Sequence, residues 1–296
     1  MSGDLVWERD GRAWPNRAFS SLVRAGGLTW HVQSLGEGPI LLLAHGTGAS
    51  THSWRALAPA LARHFTVVAP DLPGHAFTSA PAAGRQSLAG MSADLGALVE
   101  VLGIRPALVA GHSAGAAILC RMALDGRIAP KGVVSLNGAL LAFRGVAGHL
   151  FGPLAKLLAS SPLTSHILVA TMSGRRSVER LLEQTGSTID ERGIEIYTRL
   201  VASPAHVGAA LGMMASWDLE ALERDLPRLG VPLLQIVGGN DRSIPPAAAF
   251  KVRNLVPGAT VIEQRGLGHL AHEERPEETA DAIAAFARQL GLIGPA

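Results

Sequence analysis

Residues 107–124 read ALVAGHSAGAAILCRMAL, and this stretch decides the fold. ALVA is a short apolar run of strand length, and AAILCRMAL carries the pattern of a buried helix. Between them Gly111-His112-Ser113-Ala114-Gly115 spells G-x-S-x-G. A serine between a strand and a helix in that pattern sits on a tight, strained turn, where side chains at the glycine positions would clash. The turn lifts the hydroxyl above the sheet, and the N-terminus of the following helix favours developing negative charge. Ser113 is therefore the candidate nucleophile. By itself the five-residue pattern is also compatible with a small-residue turn; the strand and helix on either side give it meaning.

Working outward, short apolar runs alternate with helical patterns. Residues 20–25 and 28–34 flank Gly26-Gly27 and predict a β-hairpin. Residues 40–44 (ILLLA) are continuously apolar, as for a strand buried on both faces. Further strands are expected at 66–69, 107–110, 132–136, 233–237 and 260–263. Helices are expected at 54–63 with Ser53 as its N-cap, and at 88–102, 114–124, 247–256 and 276–290. This rhythm predicts an α/β protein with a mostly parallel eight-stranded sheet covered by helices on both faces. It stops over 139–215, which is helical in pattern. The expectation is a core of 1–138 and 216–296, with 139–215 inserted after the sixth strand as a helical cap.

A serine hydroxyl needs a base and the base an orienting acid. The chain has 11 histidines, so position must choose among them. His269 follows the last strand in Gly266-Leu267-Gly268-His269 and precedes the last helix. His272 is its nearest competitor, expected one helical turn away beside the site or at the surface. Asp241 ends Gly238-Gly239-Asn240-Asp241 after the run LLQIV, giving the chain order Ser…Asp…His. A turn aspartate is its plainer reading. Asn137 stands where an acid after the sixth strand would be, and Asp71 in DLPGH is expected to organise a loop. Acyl transfer also requires donors for an oxyanion: the backbone N–H groups of Thr47, in His45-Gly46-Thr47-Gly48, and of Ala114 are the candidates. His45 is expected to brace its loop.

Composition excludes several classes. The chain has 296 residues, 48% hydrophobic and 17% charged, which suits a globular protein rather than a disordered one. Lys plus Arg total 26 against 24 Asp plus Glu, a net charge of +2 with no basic run, so nucleic acid is not an expected partner. Cys120 is the single cysteine, excluding an internal disulfide and predicting a small buried residue. The charged start and the lack of an eighteen-residue apolar run predict a cytoplasmic protein, while a mean hydropathy of +0.25 leaves peripheral contact with a membrane open. No metal-spaced cluster or phosphate loop stands out, and no cofactor or metal is expected. His149, His166 and His206 fall in the inserted span as scattered histidines. Residues 150–158 (LFGPLAKLL) and 167–170 are apolar enough to line a substrate tunnel or touch a membrane, or simply to pack on the core.

HGTG, DLPGH, GHSAG, GGND and GLGH together resemble the α/β-hydrolase superfamily over nearly the whole chain. The longer runs at 41–75, 111–141 and 266–278, with LVWERDGRAWPNR and HVGAALGMMASWDL, resemble the magnesium-chelatase accessory family of bacteriochlorophyll biosynthesis. That resemblance implies a photosynthetic setting, a role near magnesium insertion and possible contact with magnesium chelatase. The residues themselves point to a serine hydrolase of an ester, thioester or related carbonyl bond, acting on a small apolar or amphipathic substrate. A tetrapyrrole intermediate is one candidate substrate. The alternative is a non-catalytic porphyrin-binding or delivery factor using the same apolar pocket. C–C bond hydrolases and cofactor-free haloperoxidases share the fold, and fold alone does not separate them. An epoxide hydrolase or dehalogenase is disfavoured, since Ser113 stands where those need a carboxylate.

Overall fold

The computed structural model describes residues 3–142 and 162–295. The expected hairpin opens the sheet: β1 (Ser20–Ala25) and β2 (Leu28–Leu35) pair antiparallel, with Ala25 opposite Leu28. Gly26 and Gly27 turn between them at φ 58° and 78°, the left-handed pair that a two-residue hairpin turn requires. Then follow β3 (Ile40–Ala44), β4 (Thr66–Pro70), β5 (Leu108–His112), β6 (Val133–Leu136), β7 (Leu233–Gly238) and β8 (Thr260–Gln264). The strand order is β1-β2-β4-β3-β5-β6-β7-β8. β2 runs antiparallel to β4, and every later pairing is parallel.

The apolar runs are continuous because both faces are covered. In β3, Leu42 and Ala44 join one core and Leu41 and Leu43 the other; in β5, Val109 is divided from Leu108 and Ala110 in the same way. The first core is closed by α3 (Leu88–Val101) and α4 (Ala114–Leu124). The second is closed by α2 (Leu57–Leu61) and α12 (Pro276–Gln289). A short α1 (Trp7–Asp10) precedes the sheet. Cys120 is fully buried within α4, and burial pushes its thiol up to about 12, so it serves as packing.

One local expectation fails. Instead of a helix over 54–63, the chain forms a 3₁₀ turn, Thr51–Trp54, and then the shorter α2. Ser50, not Ser53, caps the turn, accepting from the His52 N–H. Starting at Leu57 places Pro59 in the first turn of α2, where no intrahelical N–H bond is needed. Ser53 is instead drawn inward, as described below.

Between β6 and β7 the described residues form α5 (Pro162–Met172), α6 (Arg175–Gln184), α7 (Glu191–Val201) and α8 (Pro204–Ala215), with no strand among them. α9 (Glu220–Asp225) leads back to β7; α10 (Ala247–Leu255) and α11 (Ala271–Glu274) complete the set. His149 and the run 150–158 lie outside the described residues. The loop between α6 and α7 is stitched to the core. Thr185 O accepts from the N–H groups of Arg242 (3.1 Å) and His269 (3.3 Å), and Ser187 Oγ from the Leu270 N–H at 2.8 Å.

Candidate active site

The loops after β3 to β8 all leave the carboxyl ends of parallel strands and so gather at one edge of the sheet, where open α/β sheets bind ligands. In chain order they carry Thr47, Asp71, Ser113, Asn137, Asp241 and His269.

Ser113 has φ 52° and ψ −117°, a left-handed-side conformation that a non-glycine residue adopts only under constraint. The constraint is visible. Its N–H donates to Leu136 O at 3.0 Å, and its carbonyl accepts from Ala116 (3.2 Å) and Ala139 (3.1 Å). The flanking glycines are needed for space: a Cβ on Gly111 would overlap the Ala116 backbone, and one on Gly115 the carbonyl of Ala44. Gly46 is also close-packed, though less tightly, since a Cβ there would lie 3.1 Å from Ser113 Cβ and 2.8 Å from His112 Nδ1. The β3 loop thus presses directly against the serine. Ala114 is the first residue of α4, and its N–H has no intrahelical acceptor.

His269 Nδ1 donates to Asp241 Oδ2 at 2.8 Å, with the carboxylate buried and the ring 10% exposed. Asp241 Oδ1 accepts from the N–H groups of Ser243 (2.7 Å) and Ile244 (2.8 Å). Among the described residues no hydrogen bond involves His269 Nε2 or Ser113 Oγ, so the serine–histidine bond is not made in this resting geometry. Catalytic hydrogen bonds commonly tighten only when substrate is bound.

Asn137 has a part that sequence reasoning missed. In the sequence it stands only where an acid after the sixth strand would be, yet its Nδ2 donates to Asp241 Oδ2 at 2.7 Å, the same oxygen that accepts from His269 Nδ1. Its φ of 47° suits asparagine, which tolerates the left-handed region better than most residues. His112 is the second such residue. Its Nε2–H donates to His269 O at 3.0 Å, tying the neighbour of Ser113 to the loop that carries His269. Burial, then the nearby His272 and His269, hold the His112 ring neutral, well below the usual imidazole range.

His272 is not at the surface. It is 1% exposed, packs on the His112 ring at 4.4 Å, and donates from Nε2 to Ser53 Oγ at 2.7 Å. Ser53 in turn donates to Glu273 at 2.9 Å, and Glu273 also accepts from Tyr197 of α7 at 2.8 Å and pairs with Arg55. This buried network stands behind the site, where burial carries His272 down to about 3. Asp71 organises loops as expected. Its carboxylate accepts from the Thr51 N–H at 2.6 Å and from His31 Nδ1 at 2.7 Å. Despite the opposing cost of burial, those partners bring it to about 2. His45 also braces as expected, accepting from the Leu72 N–H at 2.8 Å and donating to Gly46 O at 2.8 Å.

Thr47 occupies the tip of the β3 loop, where Ala49 N–H closes a turn onto Gly46 O at 3.1 Å and Gly48 has φ 74°. Thr47 Oγ1 meets Met213 Sδ of α8 at 3.4 Å. Among the described residues no group of three or more His, Cys, Asp or Glu is placed to hold a metal ion, and no helix is long and apolar enough to cross a membrane.

Comparison with known proteins agrees with this architecture. Residues 41–282 match the model of the alpha/beta hydrolase family. The chain is 41% identical over 262 residues to the magnesium-chelatase 30 kDa subunit of Rhodobacter capsulatus, covering 88% of this chain and 91% of that protein. Among solved structures it resembles an alpha/beta hydrolase fold protein from Burkholderia ambifaria (TM-score 0.75, 26% identity, 90% and 97% of the two chains). An esterase from Exiguobacterium antarcticum superposes with a TM-score of 0.75 at 17% identity, covering 90% of this chain and 99% of that one, a likeness of fold alone.

Proposed function

The chain belongs to the alpha/beta hydrolase family, and from that premise we propose that it is a serine hydrolase of an ester, thioester or related carbonyl bond. The observation that carries this reading is the strained Ser113 on its strand–helix turn, beside a histidine already oriented by a buried carboxylate. Since Nδ1 of His269 donates to Asp241, the neutral ring presents Nε2 as the base. In the mechanism His269 Nε2 takes the Ser113 proton as Oγ attacks the carbonyl carbon. The C=O π pair moves onto oxygen, which the N–H groups of Thr47 and Ala114 receive. Collapse expels the leaving group, which takes the proton from His269, and leaves an acyl-enzyme. Water then repeats the sequence and frees Ser113. Asn137 donates to the same Asp241 Oδ2 that the ring uses, which helps fix which oxygen the imidazole sees.

The biological assignment follows from the relative named as a magnesium-chelatase subunit: an accessory role in bacteriochlorophyll synthesis near magnesium insertion, with a tetrapyrrole or another amphipathic acyl compound as substrate and magnesium chelatase as a possible contact. The span 139–215 would then serve as a cap over the site. A fluorophosphonate probe should label the folded protein at Ser113 and spare Ser113→Ala. Absence of labelling in the folded wild-type protein sinks the catalytic reading. In a deletion strain, full restoration of pigment by Ser113→Ala would favour the alternative, a porphyrin-binding or delivery factor that needs no catalysis.

A further inference from the structure

His206 lies in the first turn of α8, outside the elements that carry the candidate catalytic groups. It is 3% exposed, yet both ring nitrogens are satisfied by backbone on two different core loops. Nδ1 accepts from the Ala76 N–H at 3.1 Å, in the loop after β4. Nε2 donates to Gly48 O at 3.0 Å, in the loop after β3. The two bonds fix one tautomer and one ring orientation. Ser203 caps the helix by accepting the His206 N–H at 3.3 Å, so the backbone that carries the ring is also held.

Both recipient loops need holding. Ala76 has φ 44°, unfavourable for alanine, and Gly48 sits at φ 74° in the turn that carries Thr47. The turn is also held by the Ala49-to-Gly46 bond, the 3.4 Å contact between Thr47 and Met213 of the same α8, and the brace from His45. Packing leaves α8 close to these loops as well: a Cβ on Gly74 would lie 2.6 Å from Ala209 Cβ. Gln86 donates to Ala209 O at 3.1 Å. An oxyanion donor acts only if its N–H is fixed before charge develops, and misplacement by about an ångström can cost roughly a hundredfold in rate.

We infer that His206 is a positioning residue: by donating to Gly48 O while accepting from Ala76, it locks the Thr47 turn so that the Thr47 N–H faces the carbonyl oxygen attacked by Ser113. The inference rests on the serine-hydrolase reading of that site. It makes α8 part of the device that completes the oxyanion hole, in addition to any part it has in covering substrate. The histidine moves no proton in the reaction; it acts through the loop.

The experiment measures the second-order rate of fluorophosphonate labelling, since the phosphonyl oxygen must enter the oxyanion hole as a carbonyl oxygen would. His206→Phe retains a flat ring and removes both hydrogen bonds. His206→Gln can replace both, its amide oxygen accepting and its amide nitrogen donating. The expected result is a labelling rate at least tenfold lower in His206→Phe and within about threefold of wild type in His206→Gln. With p-nitrophenyl acetate the loss should fall on kcat, with KM little changed. Should His206→Phe not fold, His206→Leu carries the same expectation at smaller volume. Wild-type labelling speed in a folded Phe or Leu variant overturns the inference, and so does a His206→Gln variant as slow as His206→Phe. If the wild-type protein is not labelled at all, the Ser113 reading has failed instead, and the two failures are told apart by that control.

Discussion

Among the described residues two aspartate–histidine pairs have nearly the same geometry, at different places on the strand ends. Asp241 receives His269 Nδ1 at 2.8 Å after β7 and β8; Asp71 receives His31 Nδ1 at 2.7 Å between the β4 end and β2. Both carboxylates are buried and both also accept backbone N–H groups. They differ at the far side of the ring. His31 Nε2 meets Ser20 Oγ at 3.0 Å, and the ring is wholly buried among Trp7 and Phe77. Nε2 of His269 is left without a hydrogen-bond partner among the described residues, on a loop at the same edge of the sheet as Ser113. The lesson is that an oriented imidazole is a structural strut until its second nitrogen is left open toward a nucleophile.

The sharpest way to break the comparison is to neutralise each acid in turn. Asp241→Asn should lower the labelling rate and any esterase activity by roughly 10³–10⁴ in protein that still folds, because the imidazole loses the partner that sets its tautomer. Asp71→Asn should do the reverse. Activity per folded molecule should be largely retained, and stability in urea should fall by about 3 kcal/mol, the scale expected when a buried pair loses one partner. If the two variants lose activity equally, the distinction between base and strut is wrong. Asn137→Ala tests a finer point, removing the donor on Asp241 Oδ2. A fall of about tenfold in kcat, equivalent to about 1.4 kcal/mol of barrier, should come without loss of fold. An unchanged kcat would show that the two backbone donors on Oδ1 suffice.

The remaining effect is a slope with pH rather than a loss at one pH. Burial holds His206 at about 4 and His272 at about 3, both below the ordinary 6.5. Below pH 6.5 the unfolded chain therefore takes up protons that the folded chain refuses, and stability falls with pH until those folded-state values are reached. Asp71, at about 2 against 3.8, acts in the same direction at lower pH; its contribution is present above 3.8 and is lost as the pH falls toward 2. Urea midpoints should change little between pH 7 and pH 8 and decline from pH 6 to pH 4. In His206→Gln that decline should be shallower, by roughly 3 kcal/mol in all between pH 7 and pH 4. An equal slope in the variant would remove His206 from the account.

Much of this was legible in the sequence, and the reasons are specific. The strands at 40–44 and 107–110 could be read because two-sided burial writes unbroken apolar runs. The hairpin could be read because Gly26-Gly27 admits few other turns. Ser113, Asp241 and His269 each follow a strand, so chain order puts them forward as candidates, and the structure joins Asp241 to His269. Asn137 escaped because its partner comes from another strand's loop, and nothing near residue 137 announces a donor to a carboxylate 104 residues away. The helix over 54–63 was misread for a related reason. Ser53 looks like a cap locally, but the buried Glu273 and His272 compete for its hydroxyl and win. His206 looked like one more scattered histidine, since its two acceptor and donor groups belong to loops 130 and 158 residues distant.

The stitched loop between α6 and α7 bears on how this protein can be re-engineered. Thr185 and Ser187 share hydrogen bonds with Arg242, His269 and Leu270, so the helices between β6 and β7 and the loops that carry Asp241 and His269 form one unit at that corner. A chimera that exchanged residues 139–215 with those of a relative would sever or mismatch these bonds and loosen His269 itself. Swaps that confine the crossover to α5, or that carry residues 240–242 and 268–270 along with the helices, keep the corner whole. Diversity in such a library is best placed away from residues 185–187.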